Sequence, residues 1–418
     1  MKNSSLIAYN ALKLVASGAL GQVVALLLLM IVGRQYNEEM MGVLGSFLSW
    51  GGILSIATTG RYEQAIVIAP SEQEAYDLYI CGIRLSTLLS AVLFLGSLLI
   101  YLLIPEQTLG VYILLLPLFV LFTSLYAHIS SMALRNKSFN RLSLAQSING
   151  VGNNLLKVVW GSFHPSVIGL ISSSITAIFL AFFSYIPFIK KVFRRPVSPL
   201  SASLAIARKY RNFPRYSLPQ ALIDTLLGSL LILLLPLRFG MAEVGFLTMS
   251  IMLARRPLNI IGENLGKVYF QRLSETVHNA QSIAPTVRRL LLITFILGIP
   301  LALALAWGME YLVLFFVGNK WLVSAYIIRW MLPMLIPNFA AAILNVIPDI
   351  LGFQRSNMWS QIIMLALYTT AILLGFYCFS FERFIPFFYT CMAFVQIGYL
   401  LYLLRLVAIY ERTIQKNN

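Results

Sequence analysis

The chain has 418 residues, 59% of them hydrophobic and 11% charged, with a mean hydropathy of +0.81. A soluble domain carries roughly 25% charged residues, so this composition excludes a soluble enzyme, a disordered chain and a secreted disulfide scaffold. Lys and Arg number 31 against 15 Asp and Glu, a net charge of +16, and the meaning of that charge depends on where the cations sit.

An α-helix needs about 20 apolar residues to cross a bilayer. About twelve such stretches follow one another: 11–33, 41–60, 82–104, 111–133, 142–163, 166–188, 216–237, 245–267, 290–316, 322–347, 358–379 and 385–407. Each must close its own backbone hydrogen bonds, with kinks expected at Pro117, Pro236, Pro300 or Pro333. The cations alternate with the loops. Twenty-one lie on the side that holds both termini and four (Arg34, Arg238, Lys320, Arg383) on the other; six fall within spans. This asymmetry predicts cytoplasmic termini in a multi-pass plasma-membrane protein. Most of the basicity therefore serves orientation and attraction to membrane lipids, and calls for no nucleic acid.

The longest cytoplasmic segment falls mid-chain and carries Pro196, Pro199 and three serines, as a linker does. Short loop matches recur on either side of it. Arg34, Glu39, Gly42 and Leu44 are echoed by Arg238, Glu243, Gly245 and Leu247. The expected organisation is all-α, with two six-helix bundles at 1–195 and 215–418 joined by a basic cytoplasmic linker at 196–214. Parallel repeats of this kind occur in transporters that rock one bundle against another.

Polar residues inside the spans fall at helical spacing. In the fifth span Gln146, Asn149, Asn153, Lys157 and Trp160 step by three or four, so this stripe lines protein or water rather than lipid. In the eighth, Arg255, Asn259, Glu263 and Lys267 step by four, with Arg256 beside the first. The seventh span adds Asp224 and the tenth Arg329. Four deep cations face two carboxylates, which predicts a net-cationic cavity lined by Lys157, Arg255, Arg256, Arg329, Asn149, Asn153 and Asn259. Such a cavity suits an anionic or polyhydroxylated substrate. The competing reading is internal salt bridging, for example Asp224 with Arg255 or Arg256. Asp224 and Glu263 are either ion carriers or salt-bridge partners. His128 reads as a satisfied polar residue rather than a proton relay.

Other chemistries find no support. The string Gly262–Val268 is one residue short of a phosphate-binding loop and lacks its hydroxyl. The three cysteines and three histidines have no metal spacing, and no paired-carboxylate cluster marks an enzyme. No cofactor is expected.

The string Tyr210-Arg-Asn-Phe-Pro214-Arg-Tyr-Ser-Leu-Pro219 resembles the Phe-Pro-x-Tyr-x-x-Pro entry of bacterial O-antigen and capsular polysaccharide flippases. Arg61-Tyr62-Glu63-x-Ala65-Ile66 resembles the same family's Arg-Tyr-Glu-x-Ala-Ile. Val244-Gly245, Arg256-Pro257-Leu258, and Trp321 with Ser324-Ala325 are similar in order and place. The chain thus resembles the Wzx-type polysaccharide transporters, in the superfamily that also holds multidrug antiporters and the lipid-linked peptidoglycan precursor flippase. The resemblance implies translocation of an undecaprenyl-diphosphate-linked oligosaccharide, an O-antigen or capsule repeat unit, across the bacterial inner membrane. It also implies polymerase and chain-length proteins of the same pathway as partners. Arg61 and Glu63 match the motif directly, at the cytoplasmic entrance, and either contact the entering diphosphate or pair with each other in a gating role. The alternatives are a cation-coupled multidrug exporter of the same superfamily, and a polytopic polymerase or glycosyltransferase.

Overall fold

In the computed structural model, residues 21, 23–103, 111–186 and 198–417 are described, and among them all regular structure is helical. In chain order the helices are α1 (Val23–Gln35), α2 (Glu38–Thr59), α3 (Tyr62–Ile68), α4 (Glu72–Leu103), α5 (Tyr112–Arg135), α6 (Phe139–Ser147), α7 (Asn153–Phe163), α8 (Val167–Phe183) and α9 (Leu200–Lys209). There follow α10 (Leu218–Leu234), α11 (Met241–Ser250), α12 (Arg256–His278), α13 (Ala284–Phe316), α14 (Leu322–Leu344), α15 (Ile347–Ile350), α16 (Gln354–Cys378) and α17 (Phe381–Asn417).

Among the described residues, eight helices are long and apolar enough to cross a membrane, and α1 and α8 are shorter apolar helices. Two further expected spans are divided. A π-helical turn at Ile148–Gly152 separates α6 from α7, and another at Ile251–Arg255 separates α11 from α12. Large apolar side chains on the long helices face outward: Leu103, Trp307, Phe315 and Tyr377 are at least 70% exposed. Such surface is stable only against lipid.

Prolines shape several helices. Pro117, Pro300, Pro333, Pro337 and Pro386 sit inside them, and Pro236 lies in the 3₁₀ turn Leu235–Leu237 that closes α10. A third π turn, Phe213–Ser217, opens α10. A proline ring clashes with the carbonyl four residues back. Pro219 and Pro257 each follow a π turn by two residues, and the widened turn makes room at Arg215 and Leu253. The shift shows in the bonding: the Leu218 N–H donates to Phe213 O and the Arg256 N–H to Ile251 O, five residues back. Helix ends are capped locally. Asn37 Oδ1 accepts from the Met40 N–H at 2.9 Å, and Ser166 Oγ from the Gly169 N–H at 3.2 Å.

The chain divides into two compact units, Met1–Ser229 and Leu230–Asn418, the division falling inside α10. In the first, α4 packs along α5, which also contacts α2, α3 and α8; α7 packs on α8. In the second, α14 is central, packed on α12, α13 and α17, with α16 also against α17. Lipid is as apolar as leucine, so close packing and hydrogen bonds hold such helices together. Glycines permit the closest approaches: a Cβ on Gly169 would lie 2.0 Å from the Trp160 ring, and one on Gly375 would lie 2.5 Å from Phe384.

The basic segment expected as a linker carries α9, which lies on α4 within the first unit. Arg84 donates to Ser203 Oγ and to Ser198 O, both at 2.6 Å. Ser198 Oγ donates to Asp77. Lys209 Nζ and the Tyr210 hydroxyl both reach Glu74, at 2.7 and 2.8 Å. Lys190, Lys191, Arg194, Arg195, Pro196 and, at the N-terminus, Lys13 lie outside the described residues.

Candidate functional site

In the first unit Gly60 and Arg61 both adopt left-handed backbone, at φ 58° and 61°, where α2 ends and α3 begins. That corner turns Arg61 back onto Glu63, Nη1 to Oε1 at 3.2 Å. Arg61 Nε and Glu63 Oε2 are buried without a hydrogen-bond partner. Burial pushes the Glu63 carboxyl above its ordinary value, while Arg61 and Thr59 pull it back. Asp224 is exposed on α10. The structure pairs Arg61 with Glu63, one of the two arrangements expected of them.

The fifth-span stripe is spread around its helix. Gln146 is exposed, Asn149 and Asn153 are half-buried, and Lys157 is only 3% exposed. Asn149 lies in the π turn. Asn153 accepts from Ser174 on α8 at 3.2 Å, and the neighbouring Asn154 donates to Ala25 O on α1 at 2.8 Å. The Lys157 carbonyl accepts from the Tyr36 hydroxyl at 2.8 Å. Part of this polar face thus fastens α7 to its neighbours.

In the second unit Arg255 closes a π turn and is half-buried, with Nε unpartnered. Tyr368 on α16 and Tyr389 on α17 are buried. Arg256 is exposed. Asn259 accepts a long bond from Asn338 on α14, at 3.4 Å. Arg329 is exposed on α14, and the side chain of Glu263 lies outside the described residues.

A polar network joins α16 and α17 and reaches Asn345, and it was not among the site residues expected from the sequence. Gln396 donates to Tyr368 at 2.9 Å, and the Tyr399 hydroxyl reaches Asn357 at 2.9 Å and also Asn345. Gln361 is buried with Oε1 unpartnered. Helical spacing was the available signal: Asn357, Gln361 and Tyr368 share a stripe on α16, and Tyr389, Gln396 and Tyr399 share one on α17. The first unit has its own polar thread. Thr58 and Ser124 hydroxyls meet at 2.7 Å, Ser86 donates to Thr58 O at 3.1 Å, and Ser86 Oγ contacts His128 Nε2 at 3.1 Å. His128 is fully buried; its Nε2 meets Ser86 Oγ, but Nδ1 has no hydrogen-bond partner, so the expected satisfied polar residue is met at one ring nitrogen only.

Among the described residues no group of three or more His, Cys, Asp or Glu could hold a metal ion. The chemistry on offer is binding: guanidinium forks, amides and hydroxyls inside apolar helices.

The family model for "polysaccharide biosynthesis protein" matches residues 42–326. No curated protein sequence matches the chain. Among solved structures, it is similar to the lipid II flippase MurJ in an inward closed conformation, with a TM-score of 0.74, 10% identity, and coverage of 96% of this chain and 91% of that one. An inward-facing multidrug resistance MATE family transporter of the MOP superfamily gives a TM-score of 0.65 at 14% identity, covering 94% and 96%. The eukaryotic MATE transporter AtDTX14 gives 0.59 at 16% identity, covering 99% of each chain. At such identities the likeness shows the fold.

Proposed function

Because the chain belongs to the polysaccharide biosynthesis protein family, we propose that it is a flippase, moving an undecaprenyl-diphosphate-linked oligosaccharide across the bacterial plasma membrane by alternating access. In this reading it is a transporter and not an enzyme, with about twelve spans and cytoplasmic termini. The observation that carries it is the set of cations deep in a family member's spans: Lys157, Arg255, Arg256 and Arg329, against Asp224 and Glu263. A diphosphate drawn through apolar helices needs cationic partners, since an unpaired charge there costs far more than binding returns. The lipid tail stays in the bilayer. Arg255, Arg256 and Arg329 meet the diphosphate, and Asn149, Asn153 and Asn259 meet sugar hydroxyls.

Two roles follow from the cluster in the first unit. Arg61 is paired with Glu63 at 3.2 Å, so protonating Glu63 releases Arg61. Arg61 and Glu63 then act as a gate, with Asp224 as a candidate ion carrier.

The fold likeness extends to multidrug transporters, which gives a second reading, a cation-coupled exporter. Its lumen would favour carboxylates over cations, the opposite of the balance here. Deletion in the native host separates the two. A flippase mutant accumulates complete, single-unit lipid-linked oligosaccharide on the cytoplasmic leaflet and keeps its drug resistance. Accumulation on the outer leaflet points to a polymerase. Intact surface glycan in a strain with no second flippase overturns the proposal, and raised drug sensitivity favours the exporter.

A further inference from the structure

Helix α9 has two faces. Ser203 and Ile206 are buried against α4, while Leu200, Ser201, Leu204, Ala205 and Arg208, at i, i+1, i+4, i+5 and i+8, form one exposed stripe. Leu200 is 63% and Leu204 56% exposed. Just beyond the helix come exposed Arg211 and Arg215, with the Arg215 guanidinium over the ring of Tyr216 at 5.4 Å; Tyr216 is itself 57% exposed.

The contacts of α9 fix its depth. From Leu85 to Leu103, α4 carries no charged residue. At 1.5 Å per residue that stretch is about 28 Å long, close to the roughly 30 Å hydrocarbon slab. Arg84 therefore marks the edge of the slab. It bonds Ser203 at 2.6 Å, so Leu200 and Leu204 lie at the same level and face away from the protein. Lys209 bonds Glu74, ten residues back along α4, so Arg208 lies farther out than Leu204; Arg211 follows it, and Arg215 stands in the first turn of the candidate span Phe213–Leu237, where the chain re-enters the slab at headgroup level. Leucines at the hydrocarbon edge with arginines just outside them match an anionic lipid surface in both polarity and charge.

We propose that α9 and the segment through Tyr216 dock on the anionic phospholipid surface of the leaflet they face. The leucines insert at the acyl boundary and Arg208, Arg211 and Arg215 hold the phosphates. The helix is then a strap with α4 on one side and lipid on the other. This docking does not depend on which cargo the protein carries.

The test uses the full chain with Cys81, Cys378 and Cys391 replaced, an environment-sensitive fluorophore on Leu204→Cys, and reconstitution into nanodiscs. Ala205→Cys reports the same face should Leu204→Cys misfold, and Gln281→Cys, in an exposed loop, is the water-facing control. The position-204 label is expected to be quenched by lipid-borne spin labels and protected from iodide. If iodide quenches it as fully as position 281, the proposal fails. In discs mixing phosphatidylglycerol with phosphatidylcholine, the wild type should enrich phosphatidylglycerol around itself. Each of Arg208→Gln, Arg211→Gln and Arg215→Gln should lower that enrichment by about fivefold, and salt near 1 M should abolish it. Equal enrichment in the wild type and the triple variant overturns the proposal. So does a label shielded in native membranes but open to iodide in pure lipid, which would make this face a protein-docking surface.

Discussion

Arg135, at the end of α5, offers the sharpest test of how the first unit is held together. Its Nη1 donates to Ala69 O at 2.6 Å and Ile66 O at 3.2 Å, and its Nε meets Glu72 Oε1 at 3.0 Å. Ile66 and Ala69 are buried at the C-terminal end of α3, where carbonyls have no helical donor. Arg135→Ala leaves both carbonyls unsatisfied, at about 1–3 kcal/mol each. The Glu72 carboxylate is 57% exposed, so the ion pair adds at most about 1 kcal/mol. The expected loss is about 3 kcal/mol, which for a unit of this size lowers the unfolding midpoint by about 6–12 °C. Cys81 is 8% exposed, so with Cys378 and Cys391 replaced by serine its reaction with a thiol dye reports unfolding. Glu72→Gln is the control and should shift the midpoint by less than about 4 °C. Equal shifts for the two variants, or less than about 2 °C for Arg135→Ala, would refute the assignment of Arg135 as the cap of α3.

Three further outcomes are expected. Gly82→Ala places a Cβ 2.4 Å from His128 Cε1; it should cost about 1–3 kcal/mol by overpacking, and the double variant with His128→Ala should cost less than the sum of the two single variants in the same dye assay. The Glu411 carboxylate accepts from the N–H groups of Ile283 and Ala284, at 2.8 and 2.9 Å. Glu411→Ala therefore removes a cap from α13 and should cost about 1–2 kcal/mol, and an unchanged midpoint would show the cap to be dispensable. Glu63 has its pKa raised by burial, so the folded chain binds that proton more tightly than the unfolded one. Its contribution is complete below the ordinary carboxylate pKa and is lost as pH rises through the raised value. The midpoint of wild type relative to Glu63→Gln should fall as pH rises from the ordinary carboxylate range upward through the raised value, and a flat difference would contradict the assignment.

Hydropathy made most of the architecture legible, because lipid-facing helices advertise themselves by length and apolarity. The exceptions have physical causes. The fifth and eighth spans are broken by π turns, and an i, i+4 reading assumes 3.6 residues per turn throughout. Across Ile148–Gly152 that assumption fails, which is why Gln146 is exposed and Lys157 buried although both were placed on one stripe. Motif spacing carried Arg61 with Glu63, which the left-handed corner at Gly60 and Arg61 folds together. The tyrosines of α16 and α17 escaped notice because tyrosine reads as apolar in a span, and only a hydrogen bond to a neighbour shows its hydroxyl to be in use.

The three π turns differ in what keeps them wound. A turn of this kind holds about one residue more than an α turn, so rewinding it would rotate everything beyond it by about 100°. At Phe213–Ser217 and Ile251–Arg255 the proline two residues on opposes rewinding by about 3 kcal/mol, and the angular setting of α10 and α12 is fixed. No proline follows Ile148–Gly152, and glycines occupy two of its five positions. That turn has no such lock: one residue of slip would bring a new side of α7, with Lys157 on it, to face a different neighbour while every helix stayed intact.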